Sequence, residues 1–308
     1  MPQKSGIRIQ SAMEYLMTYG WAILVISVVL GGMFALGVFN PTTFLAKAQP
    51  GACQVIRTNG PNTTMFISTS GLCNGQLPQF IATFSGNGAY ANLGNSISES
   101  PENGATGAMT LCTWYLVNSL TGYVGVALKG ESSPSNGNSW EYTIDPAGTS
   151  QGFAVYPPTG TPFLPPSPIA SYSTGSQPTT GKWYFACFTY NYAKSSAYYY
   201  LNGQQYTATF VGGLPASTGT GNFIVGGGNS GYSQVWMSNV QLYNASLSSN
   251  EISSMYTEGI GGAPIQLQNL VGWWPLNQNV QDYSGDNLNG TANSIGYTSN
   301  WESTYTPT

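Results

Sequence analysis

The sequence predicts a mainly β protein, with one long hydrophobic α-helix near its N-terminus followed by a β-sandwich of the jelly-roll kind. Two patterns predict this fold. An apolar run of 19 residues, 21–39, carries no charged side chain, and segments of strand length and strand composition recur from about residue 78 to the C-terminus. With 308 residues, the chain is long enough for one large all-β domain with appendages.

The composition restricts the function. Only 6% of the residues are charged, the net charge is −4, and Lys and Arg form no cluster, so nucleic acid is not expected as a partner because neutralising phosphates needs several cations. The absence of histidine excludes Ser-His-Asp and Cys-His catalysis. Hydroxyl and amide side chains replace the missing charges. This composition indicates a chain outside the cytoplasm, and we hypothesise an acidic setting.

The apolar run has the properties of a membrane span. As a helix it would be roughly 28 Å long, about the thickness of the apolar core of a bilayer. Lys4 and Arg8 precede it, so the positive-inside rule places the N-terminus in the cytoplasm and the residues after Asn40 outside. Asn40 precedes a proline, which ends the helix.

Two alternatives remain open for this segment. A cleaved secretory signal peptide would need a processing site, for which Ala46–Ala48 is available. A plain single-pass anchor accounts for the apolar run, but it does not account for the carboxylate of Glu14 at the head of that run.

A short basic leader, then Gln10, Ser11 and Glu14, then a long apolar helix, resembles the class III signal peptides of archaeal type IV pilin-like proteins. The resemblance implies that a prepilin peptidase cleaves between Ile9 and Gln10. Residues 1–9 would then be the leader peptide, and residues 10–40 the filament-forming helix. One departure is that the serine directly follows the glutamine, whereas the family usually spaces the two by one residue.

The same resemblance implies a role in filament register for Glu14. Helices from many pilin subunits pack into a bundle with little water, where a carboxylate is unfavourable unless it meets an opposite charge. Cleavage creates that charge, the α-ammonium of Gln10 in a neighbouring subunit. The implied partners are copies of the chain and, before assembly, the peptidase and the cytoplasmic membrane, with the final filament outside the cell. Cleavage after Gly6, the alternative, would give Glu14 a different spacing.

Residues 41–77 are predicted to form a linker and a hairpin. The stretch "CQVIRTNGPNTTMFISTSGLC" has two short strands around Asn-Gly-Pro-Asn and a cysteine at each end. Four cysteines without C-x-x-C spacing argue against zinc and fit two disulfides in an oxidising compartment. Three pairings are open, and the favoured one is Cys53–Cys73 with Cys112–Cys187.

The remaining residues, 78–308, are predicted to form the sandwich. The strand-like segments are "AMTLCTWYLV", "EYTI", "GFAVY", "KWYFACFTY", "SAYYYLNGQQYTATF", "NFIVGG" and "VWMSNVQLY". "LNGQ" is a hairpin-turn signal. One segment, Ser246–Ile260, predicts a short helix, with Ser248 or Ser249 as its N-cap, Glu251 in its first turn and Gly259 near its end.

These strands, in this order, resemble the concanavalin A-like, laminin-G-like family, most specifically in "WMSNVQLYNASLSSNEISSMYTEG". The strand that usually opens this fold is last here, in "LVGWWPLNQNVQDYSGDNLNG" (Leu270–Gly290). This order implies a circular permutation, which chain termini that lie near each other tolerate. A truncated second copy is the alternative, although too few residues follow for another sandwich.

No enzyme is expected. Glu141 and Asp145 are the nearest carboxylate pair, and four residues apart on one strand they would stand about 13 Å from each other, beyond glycosidase geometry. Aromatic residues could form a sugar-stacking platform, but their alternation along strands favours the core. This aromatic set comprises Trp114, Trp140, Trp183, Trp236, Trp273, Trp274 and Tyr198–Tyr200.

The stretch "DYSGDNLNG" offers a calcium-site candidate. Asp282, Asp286 and Asn287 supply the hard oxygen ligands that Ca²⁺ prefers, and the resemblance implies a calcium loop here. Ser238 and Asn239 stand where the family commonly adds an acidic residue, and a polar turn with an Asx cap is the alternative. Glycosylation sequons begin at Asn62, Asn244 and Asn289.

Together these features predict a structural subunit of an extracellular type IV pilus-like filament that displays a lectin-like head for adhesion to a glycan or another cell-surface ligand. The alternative is a monomeric, membrane-anchored glycan-binding surface protein. An extracellular glycan hydrolase is the third hypothesis.

Overall fold

The computed structural model divides into two compact units, residues 1–46 and residues 47–308. It describes residues 7–35, 53–57, 67–71, 73, 77–85, 88–94, 107–130, 139–145, 150–156, 168–211, 221–227 and 234–306.

The first unit contains helix α1 (Ile7–Ala35). The side chains described in α1 are those of Met17 and residues 19–33, and all but the half-buried Met33 are exposed. Trp21, for example, is 71% exposed and Val28 is 66% exposed. The described surface of this helix is therefore apolar and uncovered.

Within the part of the chain that the structure describes, no helix is long and apolar enough to cross a membrane. The predicted apolar run continues to Phe39, and its last residues, 36–39, lie outside the described residues. The side chains of Ile9, Gln10 and Glu14 lie outside them as well, so the predicted cleavage site and register residue stay predictions.

The second unit is a sandwich of two antiparallel sheets. The back sheet has the order β12 (Gln204–Thr207), β11 (Ser196–Leu201), β10 (Trp183–Asn191), β5 (Ala108–Ser119), β15 (Gln234–Tyr243), β3 (Ile81–Ser85) and β18 (Ile295–Thr298), and β16 (Leu270–Trp274) also pairs with β15. The front sheet has the order β13 (Thr209–Phe210), β9 (Ala170–Ser173), β8 (Ser150–Val155), β7 (Trp140–Asp145), β6 (Val124–Lys129), β14 (Phe223–Val225), β4 (Tyr90–Asn92) and β17 (Thr291–Asn293). The predicted mainly β sandwich is confirmed.

The hydrophobic core fills the space between the two sheets, where every second strand residue points inward. Phe153 of the front sheet stacks on Phe188 of the back sheet with ring centroids 4.6 Å apart, and Trp140 contacts Phe188 at 5.8 Å. The hairpin turn predicted at "LNGQ" joins β11 to β12, with φ values of 50° at Asn202 and 77° at Gly203. Two residues in the left-handed region are what a tight Asn-Gly turn requires.

One strand that is buried along its whole length, β6, was not predicted from the sequence. All six residues of β6 are buried, including Lys129, whose Nζ donates to the carbonyl oxygen of Gly221 at 2.9 Å. The segment VGVALK ends in a lysine and contains Gly and Ala, which weaken the strand pattern of its two valines and its leucine, and the sequence analysis did not identify it.

The C-terminal strands complete the same sandwich. β16 pairs with β15, β17 with β4 and β18 with β3, so this segment contributes to both sheets. These pairings place the C-terminal segment inside the one sandwich, and the circular permutation stays a prediction.

Helix α2 (Ser249–Glu258) follows β15 and forms as the sequence predicts. Ser248 is the N-cap, and its side chain and that of Glu251 form a reciprocal capping box. Gly259 is the C-cap, with φ of 84°. Ile252 and Met255 are buried and join α2 to the outward side of the back sheet.

The structure forms both favoured disulfides, Cys53–Cys73 and Cys112–Cys187. The first closes the hairpin of β1 (Cys53–Arg57) and β2 (Ile67–Gly71), and the second links directly opposite residues of β5 and β10. The hairpin lies in the second compact unit, where the Val55 N–H donates to the Tyr283 carbonyl oxygen at 3.0 Å. It therefore packs on the sandwich.

Candidate functional site

The two sheets differ in what lies on their outward sides. On the back sheet, a second hydrophobic cluster covers the outward surface, here called the back face. The cluster includes Trp114, Phe185, Cys112 and Cys187 of the sheet, Val55 of the hairpin, Ile252 and Met255 of α2, and Trp301 and Tyr305 near the C-terminus. This face is sealed by other parts of the chain and offers no described surface for a ligand.

On the front sheet, the outward surface is polar and is here called the front face. Along β7, buried residues alternate with half-buried ones, and the half-buried set is Glu141, Thr143 and Asp145. Their neighbours Trp140, Tyr142 and Ile144 belong to the core, so the polar set points away from it. Small residues of β8, Gly152 and Ala154, stand beside this row.

Two tyrosines flank the carboxylates of the front face. The Tyr156 hydroxyl donates to Glu141 Oε1 at 2.6 Å. Burial and the negative charge of Glu141 raise the pKa of Tyr156 well above its usual value. Burial, followed by the charge of Glu141, raises the pKa of Tyr123 to about 12. Both phenols therefore stay protonated at any physiological pH and serve as hydrogen-bond donors.

The front face combines acceptors, donors and aromatic rings. Carboxylates accept hydrogen bonds from hydroxyl groups, and tyrosines present both a hydroxyl and an apolar ring.

The basic residues lie elsewhere. Beyond residue 46 the sequence has five basic residues, of which Arg57, Lys129, Lys182 and Lys194 are described. Arg57 contacts the C-terminal segment, Lys129 is buried, Lys182 lies over the Tyr184 ring and Lys194 lies in the β10–β11 turn. None of these four lies on the front face, which favours uncharged, hydroxyl-rich ligands.

The predicted calcium loop is held by its own hydrogen bonds. Asp282 Oδ1 accepts from the N–H groups of Trp273 and Ser284, each at 2.9 Å. Asp282 Oδ2 accepts from the Ser284 hydroxyl at 2.7 Å and from the Leu288 N–H at 2.9 Å. A carboxylate has about four lone-pair sites. All are used by donors here, so Asp282 does not fit a calcium ligand.

The other predicted ligands do not form a metal site with Asp282. Asp286 Oδ1 lies 3.4 Å from Arg57 Nε, and Asn287 adopts a left-handed backbone conformation with φ of 59°. Among the residues that the structure describes, no group of three His, Cys, Asp or Glu side chains could hold a metal ion. The hydrogen bonds of Asp282 favour the polar Asx turn, the alternative that the sequence left open, and calcium at Asp282, Asp286 and Asn287 stays a prediction.

The aromatic set mostly lies in the interior. Trp114, Trp140, Trp183, Trp273, Trp274, Tyr199 and Tyr200 are buried, whereas Trp236 and Tyr198 are half-buried against the back-face cluster. These rings do not form a sugar-stacking platform. Among the sequons, Asn244 and Asn289 are exposed, and Asn62 lies outside the described residues.

Sequence reasoning missed Tyr123 and Tyr156 as functional candidates. Each lies next to a strand end, 18 and 15 residues from Glu141 in the chain, and only the pairing of β6, β7 and β8 brings them together. Glu141 and Asp145 were identified, but only as a pair unsuited to hydrolysis.

A protein-family model described as the concanavalin A-like lectin/glucanases superfamily matches residues 85–253. No curated protein matches the chain in sequence. The match includes β7 and both tyrosines of the front face, and it ends inside α2, before β16.

Among solved structures, the fold is similar to a protein from Bacteroides ovatus ATCC 8483 described as a candidate carbohydrate-binding protein. The two are 16% identical with a TM-score of 0.52, over 82% of this chain and 70% of that one. A Trypanosoma rangeli sialidase is 22% identical with a TM-score of 0.35, over 51% of this chain and 24% of the sialidase. A SAP-like pentraxin from Limulus polyphemus is 13% identical with a TM-score of 0.43, over 71% and 94%. The first of these likenesses, at 16% identity, concerns the fold alone.

Proposed function

The chain belongs to the concanavalin A-like lectin/glucanase superfamily, and from this premise we propose that its sandwich binds carbohydrate through the front face. The observation that carries the proposal is the contrast between the two outward surfaces. The back face is covered by α2, the hairpin and the C-terminal segment, whereas the front face presents Glu141, Asp145, Tyr123 and Tyr156 on adjacent strands.

The chemistry of the front face suits a glycan. Sugar hydroxyls can donate to the Glu141 and Asp145 carboxylates and to the Tyr156 hydroxyl oxygen, whose own proton is donated to Glu141. The tyrosine rings provide an apolar surface for the C–H face of a pyranose. Since no described basic side chain lies on this face, a neutral glycan is favoured over a sialylated or uronate-containing one.

Binding is favoured over hydrolysis by the placement of the carboxylates. Glu141 and Asp145 are the only acidic residues in the strands assigned to the front sheet, and both lie on β7. Glycosidases use two carboxyl groups about 5–9.5 Å apart, whereas residues i and i+4 of one strand are about 13 Å apart. The proposed function is therefore that of a lectin.

A glycan array with the full-length chain tests this proposal, followed by affinity measurements on the retained sugar. Glu141→Gln removes the negative charge of the acceptor, and Tyr156→Phe removes the hydroxyl group; each is expected to weaken binding about tenfold, the effect of a lost charge-assisted hydrogen bond. Lys194→Ala, in the β10–β11 turn of the back sheet, is the matched surface control and retains wild-type affinity. An array without any retained glycan, or variants that bind as tightly as the wild type, would refute the proposal.

For the N-terminal unit we propose assembly with further copies of the chain into a pilus-like filament that displays the sandwich for adhesion. The support is the exposed apolar surface of α1 and the resemblance of the residues before it to a class III signal peptide. Prepilin peptidase would remove residues 1–9 while the precursor is in the cytoplasmic membrane, and the ammonium of Gln10 would pair with Glu14 of a neighbouring copy.

The N-terminal residue of protein recovered from cells, with electron microscopy of the same fraction, tests the filament proposal. A Gln10 terminus in helical fibres supports it. An intact Met1 in dispersed, detergent-soluble protein would instead support the alternative, a monomeric membrane-anchored lectin. The front-face experiment is independent of this outcome.

A further inference from the structure

The front face carries negative charge in a protein that has little charge of either sign. The chain has 11 acidic and 7 basic residues among its 308. Two of the acidic residues, Glu141 and Asp145, lie four positions apart on β7, a strand in the middle of the front sheet. Side chains four positions apart on a strand point to the same side of the sheet. The middle of the front face therefore has a negative potential.

The positions around these carboxylates are uncharged. Residues directly opposite each other on paired strands share one side of a sheet. The residues of β6 and β8 that lie opposite Glu141, Thr143 and Asp145 are Gly125, Leu128, Ser150, Gly152 and Ala154. The one basic residue in the strands assigned to the front sheet is Lys129. It lies opposite Trp140 and Phe223, which are core residues, so it shares their inward direction. No cation of these strands therefore faces the carboxylates.

Two tyrosines add a second feature that suits a positive charge. The Tyr156 hydroxyl donates to Glu141 Oε1 at 2.6 Å. Burial and then the charge of Glu141 raise the pKa of Tyr123, which places this second phenol near the same carboxylate. An ammonium group is attracted to the face of an aromatic ring as well as to a carboxylate. The chain makes such a contact itself, because Lys182 Nζ lies 5.6 Å from the centroid of the Tyr184 ring.

We propose that the front face selects glycans that carry free amino groups, and that the ammonium of an amino sugar pairs with Glu141 beside Tyr123 and Tyr156. Asp145, on the same side of β7, adds attraction at longer range. Sugar hydroxyls alone form hydrogen bonds, whereas an amino sugar supplies hydrogen bonds and the opposite charge together. This inference rests on the carbohydrate binding proposed above and adds to it the charge of the ligand.

Isothermal titration calorimetry of the full-length chain with three hexasaccharides tests the inference. They share a β-1,4-linked glucose backbone and differ at carbon 2, which bears a hydroxyl, an acetamido or a free amino group. At about pH 5.5 ordinary carboxyl groups are ionised and the amino groups of the sugar are protonated. The amino hexasaccharide is expected to bind about tenfold more tightly than the other two, the effect of one charge-assisted hydrogen bond. Raising the ionic strength from about 0.05 M to about 0.5 M should reduce this preference through screening.

Variants of the front face identify the groups that set the preference. Glu141→Gln keeps the size of the side chain and removes its charge, so the preference should fall from about tenfold to at most about threefold. Asp145→Asn should lower the preference less, since its contribution acts at longer range. Lys194→Ala, the matched surface control, should keep the wild-type preference.

The outcomes separate this inference from the function on which it rests. Equal affinities for the three hexasaccharides would overturn the inference, as would a preference for the amino sugar that persists in Glu141→Gln. If the glycan array retains neutral glycans but neither it nor calorimetry shows a preference for amino sugars, the inference fails and the lectin function stands. An array that retains no glycan overturns the lectin function itself. If Glu141→Gln does not fold, a wild-type preference that is independent of ionic strength would overturn the inference.

Discussion

The back face and the front face belong to one sandwich and differ in almost every property. On the back face, Trp114 is 2% exposed and has ring centroids within 5.8 Å of Phe185, Tyr256 and Tyr305. On the front face, Glu141 and Tyr156 are half-buried and form a hydrogen bond with each other. Strand alternation therefore gives both sheets an apolar inward side. The outward side is apolar on the back sheet and polar on the front sheet.

The difference shows where stability and recognition reside. An apolar sheet face must be covered, and here the chain covers it with α2, the disulfide-closed hairpin and the C-terminal segment, which come from three separate parts of the sequence. A polar face needs no cover and remains available to a ligand. We therefore expect substitutions on the back face to change folding, and substitutions on the front face to change binding.

The largest expected effect is from Trp114→Ala. Removing a fully buried tryptophan leaves a cavity and should lower the free energy of unfolding by about 3–5 kcal/mol. Tyr156→Ala on the front face should lower it by only about 1 kcal/mol, because a half-buried ring and one hydrogen bond are lost. Chemical denaturation of both variants measures the two values.

Glycan affinity completes this comparison. Trp114→Ala protein that is still folded should bind glycan with wild-type affinity. Tyr156→Ala protein should bind glycan more weakly than the wild type. Equal losses of stability in the two variants would break the distinction between the faces.

An intermediate effect is expected at alkaline pH. The pKa of Tyr123 is raised to about 12 by burial and by Glu141, and burial raises the pKa of Tyr142 well above its usual value. In the unfolded chain these tyrosines lose their protons near pH 10. The folded state then holds more protons than the unfolded state, so stability is complete below about pH 10 and falls as the pH rises toward 12.

Tm measurements between pH 8 and pH 12 test this dependence. Glu141→Gln removes the charge that raises the pKa of Tyr123, so a smaller loss between pH 10 and 12 is expected for this variant, by roughly 1 kcal/mol or less. A wild-type Tm that stays level up to pH 12 would contradict the assignment. Because the chain lacks histidine, no side chain with an ordinary pKa between 5 and 8 contributes a second transition.

The smallest effect is expected at the cap of α2, one of the elements that cover the back face. Ser248→Ala removes the side-chain acceptor of the capping box and should lower the free energy of unfolding by about 1 kcal/mol. Ser254→Ala on the same helix is the matched control. Its hydroxyl only bonds back to the Asn250 carbonyl, and alanine is the better helix former, so this change should be neutral or slightly stabilising. If the two variants have the same denaturation midpoint, the proposed role of the cap is contradicted.

Local patterns predicted most of the elements. Residues close together in the sequence, or strand composition, predict four features: the Asn-Gly turn before β12, the capped helix α2, the paired strands of the hairpin and both disulfides. The prediction missed β6, because a lysine and small residues interrupt its strand pattern. It could not decide between calcium and a polar turn at Asp282, because a carboxylate in a Gly-bent turn has the same sequence whether it binds a metal or backbone N–H groups.

The sequence by itself determined a β-sandwich of this superfamily, the oxidised cysteines and the apolar character of α1, since composition and periodicity are properties of neighbouring residues. Only the tertiary structure decided which face is open, that Tyr156 meets Glu141, and that Arg57 donates to main-chain carbonyl oxygens 210–227 residues away in the chain. Such contacts depend on strand register and on the docking of distant segments, and no local pattern encodes these.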